Sequence, residues 1–343
     1  MIHGNIEFFG AVELTERLGG FQLQRIPEKV RNRLNPRGRW NSQQTNGLEI
    51  RFVCDSPQIQ LFLSSIEGDA DVLVYCGDFL HSTHLLAPGG PYRIRVETPE
   101  KFPQVRYEAL TGKSFSPLVW RFVLPSCRTI FHELETFGAS VRPPEKSEKP
   151  TLTWLAYGSS ITAGCGASRN DLGYVSLAAR MLGVDVINLA MGGACHCEPE
   201  LADFIAERGD WDFATFELGV NMRDTFTEDE FHNRAGYLIK TTLEKNPGKP
   251  VFLITSFPNQ QDHETIESVL GQRQRKFNDI LRGIAANNSP KHLHLLEGHE
   301  IMTDFRDLLV DLIHPSASGH VQMAARLAEK LSYSLKNKIT KRI

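Results

Sequence analysis

The 343-residue sequence has no surplus of basic charge. Its 38 Lys and Arg stand against 41 Asp and Glu, a formal net charge of -3. A bulk nucleic-acid binder needs a basic face to displace counterions from phosphates, so no nucleic-acid partner is expected. Long hydrophobic runs are missing as well. Stretches such as Val251-Phe-Leu-Ile254 are far shorter than the roughly 20 apolar residues of a bilayer-spanning helix, and no membrane partner is expected. The opening Met1-Ile-His-Gly-Asn-Ile-Glu7 has no positive patch followed by an apolar stretch, so no secretory leader is read there. Cysteine is sparse, 6 in the whole chain. That excludes a small disulfide scaffold and makes a reducing cytoplasm the expected compartment. Internal repeats and low-complexity tracts are absent. What is present is an ordinary ordered composition, 41% hydrophobic and 23% charged. At roughly 150 residues per domain the length points to two domains.

The composition changes near residue 145. Ser140-Val-Arg-Pro-Pro-Glu-Lys-Ser-Glu-Lys-Pro150 holds three prolines and five charges with almost nothing apolar. It reads as a link between domains. The expected division is a domain over 1–143, a linker over 144–150 and a second domain over 151–343. Ahead of the linker, Leu48-Glu-Ile-Arg-Phe-Val, Gln58-Ile-Gln-Leu-Phe-Leu, Asp71-Val-Leu-Val-Tyr and Tyr92-Arg-Ile-Arg-Val-Glu alternate apolar and polar residues. With Trp120-Arg-Phe-Val-Leu-Pro and the turn signals between them, they predict an all-β antiparallel sandwich. Beyond the linker, apolar runs begin at Leu152, Val184, Phe213, Val251 and Leu293. They alternate with amphipathic stretches such as Glu198–Arg208 and Glu228–Glu244. That alternation predicts an α/β domain with a parallel sheet covered on both faces. Ligands of such sheets bind at the carboxyl ends of the strands, where chemistry is to be sought.

Each run leads into a chemically useful segment. The first ends in Gly158-Ser-Ser-Ile-Thr-Ala-Gly164. A serine there presents its hydroxyl at a helix N-terminus, or else Ser159 or Ser160 merely caps that helix. The second leads to Asn188-Leu-Ala-Met-Gly-Gly193, whose glycine N–H suits an oxyanion. The third leads to Glu217-Leu-Gly-Val-Asn221, whose side chain offers an amide donor. Near the end stand Asp311 and His314, close enough in a tight loop for the carboxylate to orient the imidazole.

Taken together, the second domain resembles the SGNH (GDSL-type) esterase and lipase superfamily. Gly158-Ser-Ser-Ile-Thr resembles its Gly-Asp-Ser-Leu-Thr block, which makes Ser160 the nucleophile. Gly193 corresponds to the oxyanion glycine, Gly219-Val-Asn221-Met to the Gly-x-Asn-Asp block, and Asp311-x-x-His314 to the acid and base block. The resemblance covers about residues 151 to 335. It departs at Ser159 and Met222, where the family carries Asp. It implies a three-layer α/β/α, flavodoxin-like fold, a Ser160–His314–Asp311 triad, and an oxyanion hole of Ser160, Gly193 and Asn221. The whole chain is also similar to two-domain members with a jelly-roll sandwich before the hydrolase domain. Some of those are carbohydrate esterases, and a related type is an acyltransferase.

The expectation is a serine esterase removing short acyl groups, acetyl foremost, from a small-molecule or oligosaccharide ester. The alternatives are an acyltransferase using the same Ser160 intermediate and a carbohydrate-binding protein with a decayed hydrolase domain. No metal and no organic cofactor is required, and a homo-oligomer is compatible. Ser159, Cys195, Met222 and Arg223 are the expected substrate contacts, with a solvated face as the other reading of Arg223. Cys195-His196-Cys197 hints at zinc, but no second Cys/His cluster completes four ligands. Cys165 is expected to be buried, and His320 to be structural on the last helix. The basic stretch Lys29–Trp40 reads as a charged loop over the domain junction, or as a contact for a sugar or acidic ligand. Lys336–Arg342 reads as a solvated helix end. A Gly-x-Ser-x-Gly elbow, a Walker A loop and a dinucleotide fingerprint are all absent.

Overall fold

The computed structural model describes residues 1–112, 114–288 and 291–339, with the side chains of 336–339 excepted. The basic stretch Lys336–Arg342 therefore lies outside the described residues as far as its side chains are concerned. The chain divides into two units. The first comprises Met1–Pro27, Ser42–Thr151 and Gly183–Asp185, and the second takes Glu28–Asn41, Leu152–Leu182 and the chain from Val186 onward. Two segments thus depart from a single break at the linker: Glu28–Asn41 and Gly183–Asp185.

The first unit is a sandwich of two antiparallel sheets. One runs in the order Ile2–His3, Ile6–Phe9, Glu49–Cys54, Val119–Val123, Ala70–Cys76, Phe79–Leu86, with Val141–Arg142 also pairing to Glu49–Cys54. The other runs Glu13–Arg17, Gly20–Gln24, Thr129–Glu135, Gln58–Ser65, Tyr92–Glu97. The alternation in Gln58–Ser65 turns Ile59, Leu61 and Leu63 inward, where they meet Ile50, Phe52, Val74 and Phe122 of the other sheet in one cluster. Arg51 is buried in this unit. It is paired bidentately with Asp185 at 2.6 and 2.7 Å and with Glu49 at 2.8 Å. A buried guanidinium needs such partners, which accounts for Gly183–Asp185 joining this unit.

Residues 144–150 are not a free link. Lys146–Glu148 forms a 3-10 turn closed by a capping box from Glu145. Arg142 is bidentate to Glu148 at 2.7 Å, and Lys149 pairs with Glu7. The charges of Arg142, Glu148 and Lys149 that marked the segment are therefore paired.

In the second unit the strands Thr153–Tyr157, Asp185–Asn188, Phe213–Glu217, Val251–Ile254 and Leu293–Leu296 form one sheet in the order 2-1-3-4-5. The first pairs with the third, the third with the fourth and the fourth with the fifth in parallel. That is the flavodoxin-like order, with its crevice where the winding reverses, between the first and third strands. Helices Tyr174–Leu182, Pro199–Glu207, Glu228–Lys245, Val269–Ala286 and Ala317–Ile339 accompany it. The first, third and fourth strands are almost wholly buried, as strands covered on both faces must be. Lys29–Trp40 is not a loop: it lies in the helices Glu28–Arg31 and Pro36–Asn41 of this unit and the turn between them. Among the described residues no helix is long and apolar enough to cross a membrane.

Candidate active site

The first strand ends at Tyr157, and only glycine fits at position 158 that follows. A Cβ there would lie 2.8 Å from Glu217 Oε2 and would also overlap Thr162. Ser159 follows as the N-cap, its Oγ accepting from the Ile161 N–H at 3.2 Å. Ser160 is then the first residue of the short helix Ser160–Ala163, which Gly164 ends in the left-handed region at φ +93°. One serine caps and its neighbour presents its hydroxyl. The Ser160 backbone N–H, at the helix start, has no acceptor within the helix.

Beneath this turn lies a carboxylate that sequence reasoning overlooked. Glu217 Oε2 accepts from the Ser159 N–H at 2.7 Å and from Thr162 Oγ1 at 3.1 Å. Burial raises the Glu217 pKa, although the bonds from Ser159 and Thr162 act the other way. The sequence signal was a lone acid closing an otherwise uncharged strand, Phe213–Glu217.

The Asp311–His314 loop arrives from the far end of the chain. Its base is closed by Leu309 N–H to His314 O at 2.8 Å and Ser316 N–H to Asp307 O at 2.6 Å. Leu312 adopts φ +56° to make the turn. Asp311 Oδ1 accepts from the Ile313 and His314 N–H groups, both at 3.0 Å, and Oδ2 faces His314 Nδ1 at 2.8 Å. Partial burial opposes ionisation, but these donors outweigh it and hold the Asp311 carboxyl below its usual range. The acceptor at Nδ1 fixes the proton there and leaves Nε2 as a base. His314 Nε2 stands 2.7 Å from Ser160 Oγ. The nearby Cys165 sulfur and the Asp311 carboxylate favour the imidazolium and, against partial burial, push His314 up to about 9.

The remaining donors adjoin this line. A Cβ on Gly192 would sit 3.4 Å from Ser160 Cβ, so the Gly192–Gly193 turn lies against Ser160. Asn221 follows the tight turn at Gly219, which takes φ +112°. Its Oδ1 accepts from the Cys195 N–H at 3.3 Å, leaving the amide hydrogens facing away. The His196 ring is 3.1 Å from Asn221 O. The fold therefore brings together Ser160, His314 and Asp311, and sets Gly193 and Asn221 on the loops beside them.

The expected substrate contacts fare differently. Ser159, Cys195, Met222 and Arg223 are all buried, and their side chains do not reach the solvent from which a substrate would come. Ser159 is committed to its cap. Cys195 turns its thiol toward Glu217 O at 3.8 Å, and burial raises that thiol's pKa, so only its backbone faces Asn221. Arg223 is no solvated side chain either: its Nη1 donates to Asn259 Oδ1 at 3.1 Å and to Gln274 Oε1. Cys165 is exposed rather than buried, between Gly164 and Gly166, both at positive φ, with its sulfur near His314. His320 is buried, accepting from the Tyr174 N–H at 3.1 Å and donating to Cys165 O at 2.9 Å, which pins the loop after the Ser160 helix. Among the described residues no group of three His, Cys, Asp or Glu is placed to hold a metal ion.

The GDSL-like Lipase/Acylhydrolase family model matches residues 151–332. No curated protein sequence matches the chain. Among solved structures, the chain is similar to a salicylyl-acyltransferase from a tetracycline biosynthetic pathway, at 20% identity and TM-score 0.79 over 96% of this chain and 95% of that one. It is similar to a family two carbohydrate esterase from Clostridium thermocellum, at 12% identity and TM-score 0.63 over 96% and 98%. It also resembles an acetyl xylan esterase from the rumen bacterium Butyrivibrio proteoclasticus, at 12% identity and TM-score 0.59 over 98% and 96%. At these identities the likeness is one of fold, and it extends over nearly the whole of each chain. The family match covers more than half of the sequence and contains every member of the hydrogen-bonded line at the sheet edge: the chain belongs to the GDSL-like lipase/acylhydrolase family of serine hydrolases.

Proposed function

We propose that this protein is a serine esterase that removes short acyl groups, acetyl foremost, from a carbohydrate or similar small ester. The observation that carries the reading is the line Ser160 Oγ, His314 Nε2, His314 Nδ1, Asp311 Oδ2, with contacts of 2.7 and 2.8 Å. In this reading His314 takes the Ser160 proton as Oγ attacks the ester carbonyl carbon, and the carbonyl π pair moves onto oxygen. The Ser160 and Gly193 N–H groups and the Asn221 amide receive that oxyanion. Each such donor is worth about 10²- to 10³-fold in rate. His314 then protonates the departing alcohol as the C–O bond breaks. Water repeats the sequence on the acyl-Ser160 and releases the carboxylic acid. The chemistry needs no metal or organic cofactor, and the reading includes a cytoplasmic site of action.

Acetyl and carbohydrate enter through the structural neighbours, which include an acetyl xylan esterase. A second reading, transfer of the acyl group to an alcohol in place of water, is favoured by the likeness to a salicylyl-acyltransferase at TM-score 0.79. One experiment separates these. Hydrolysis of p-nitrophenyl acetate, butyrate and octanoate is measured for wild type and Ser160→Ala, followed by acetylated sugars and by acetyl donors with added alcohols. Turnover lost in the variant and falling with chain length supports the esterase. Ester product accumulating with an alcohol at the expense of free acid supports the transferase. Equal rates in wild type and Ser160→Ala would remove both.

A further inference from the structure

The helices Glu28–Arg31 and Pro36–Asn41 belong to the hydrolase unit although the chain returns to the sandwich at Ser42. Two side chains of this segment end on one atom. Asn41 Nδ2 donates to Gly192 O at 2.7 Å, and Arg37 Nε donates to the same oxygen at 3.0 Å. In a trans peptide the carbonyl and the following N–H point in opposite directions. Two donors on Gly192 O therefore fix the plane of the 192–193 peptide and aim the Gly193 N–H away from them. That N–H has no protein acceptor among the described residues. Gly193 itself stands at φ +67°, and a Cβ on it would lie 2.7 Å from Arg37 Nε. Glycine at this position is what admits the guanidinium.

The segment also supports the Asn221 donor. Asn35 Nδ2 donates to Glu198 Oε1 at 2.6 Å and to His196 Nδ1 at 3.2 Å, while Asn35 Oδ1 accepts from the Gly38 N–H at 2.9 Å. With Nδ1 accepting, the His196 proton is on Nε2, which donates to Asn221 O. Burial lowers the His196 pKa and keeps the ring in this neutral form.

We infer that Arg37 and Asn41 are positioning residues for the oxyanion peptide. They hold the Gly193 N–H in its working direction, and the guanidinium charge on the shared peptide strengthens it as a donor. This rests on the reading of Gly193 as an oxyanion donor. The segment is read through the backbone, not through the substrate.

The test uses the full chain with Arg37→Ala, Asn41→Ala and Ser160→Ala, p-nitrophenyl acetate as a neutral ester, and a boronic acid that forms a tetrahedral adduct on a catalytic serine. The expected result is a fall in kcat of about 10-fold for each positioning variant, less than for deleting a donor outright. KM is expected to stay unchanged. Boronate affinity should fall by the same factor as kcat/KM, because the adduct carries the oxyanion and the ground-state ester does not. An unchanged kcat and boronate affinity in Arg37→Ala, with Ser160→Ala inactive, would overturn the inference and leave the esterase reading standing. Turnover surviving in Ser160→Ala would overturn the esterase reading itself. The other guanidinium nitrogens of Arg37 have no protein partner among the described residues. A rise in KM confined to negatively charged esters would therefore make Arg37 a substrate contact, and would also overturn the inference. Should the buried Asn41 variant fail to fold, the exposed Arg37 variant decides alone.

Discussion

Gly166→Ala is the substitution whose consequence the structure specifies most fully. Gly166 stands at φ +95°, and a Cβ built there would overlap the Pro315 carbonyl oxygen and come 3.2 Å from its carbon. The obstacle is backbone, so no side-chain rotation relieves it. Restoring contact distance means moving one loop away from the other by roughly 1 Å. Pro315 follows His314 directly, and Gly166 lies on the turn that follows the Ser160 helix. The displacement thus falls on the 2.7 Å contact between Ser160 Oγ and His314 Nε2. Misplacing a catalytic group by about 1 Å costs on the order of 10²-fold in rate. The left-handed backbone adds about 1–2 kcal/mol of strain, or several degrees in Tm. The assay is kcat on p-nitrophenyl acetate together with a thermal melt. Gly236→Ala is the control, since nothing lies within 4 Å of a Cβ there, in the interior of the helix Glu228–Lys245. That variant should keep full activity and gain up to about 1 kcal/mol from helix propensity. Undiminished kcat in Gly166→Ala would refute the claim that the two loops are held by this contact.

Three further outcomes are expected. With His314 raised to about 9 and required neutral as the base, kcat/KM should rise tenfold per pH unit up to that value and then level off. Cys165→Ala removes the first contributor to the raise, so the limb should move acidward; an unmoved limb would show that the sulfur contributes nothing. The same shift makes the imidazolium a source of stability present below the ordinary His value of about 6.5 and lost as pH climbs through about 9, so Tm should decline across that window. Glu217 is also raised, by burial, so stability falls as pH climbs from the ordinary carboxylate value of 4.5 to the folded pKa and is level above it; Glu217→Gln should gain in Tm relative to wild type across that window. Glu217→Leu instead leaves the Ser159 N–H without its acceptor, which should cost about 1–3 kcal/mol and depress kcat, and equal melts for the two variants would deny the carboxylate its part in the turn.

Much of the sandwich was visible where strands alternate cleanly, as in Gln58–Ser65 and Tyr92–Glu97. Glu13–Arg17 was not, because a mostly exposed strand such as Glu-Leu-Thr-Glu-Arg has almost no buried side chains to set a period. Phe79–Leu86 escaped for the same reason: seven of its eight residues fall outside the core. Composition read 144–150 as a link because it reports polarity and not pairing. Its charges find Glu7, Arg142 and Glu148 and stay ordered. Ser159, Met222 and Arg223 were expected at the substrate because they neighbour the motifs. Neighbours along a turn point in different directions, and here they point inward.

The sequence by itself located the candidate residues: five apolar runs in order, with a serine, a glycine pair, an asparagine and an Asp–His pair in the segments that follow them. Those signals are local, set by side-chain period and turn chemistry over a few residues. That Ser159 turns inward to cap while Ser160 presents its hydroxyl, and that the Asp311–His314 loop reaches Ser160 over 154 positions of chain, were decided by tertiary packing. So were the Glu217 carboxylate under the Ser159–Ser160 turn, the approach of Gly166 to Pro315, and the two donors that Arg37 and Asn41 bring to Gly192 from more than 150 positions away. Such contacts depend on where the backbone passes in space. No periodicity within a window of sequence encodes that path.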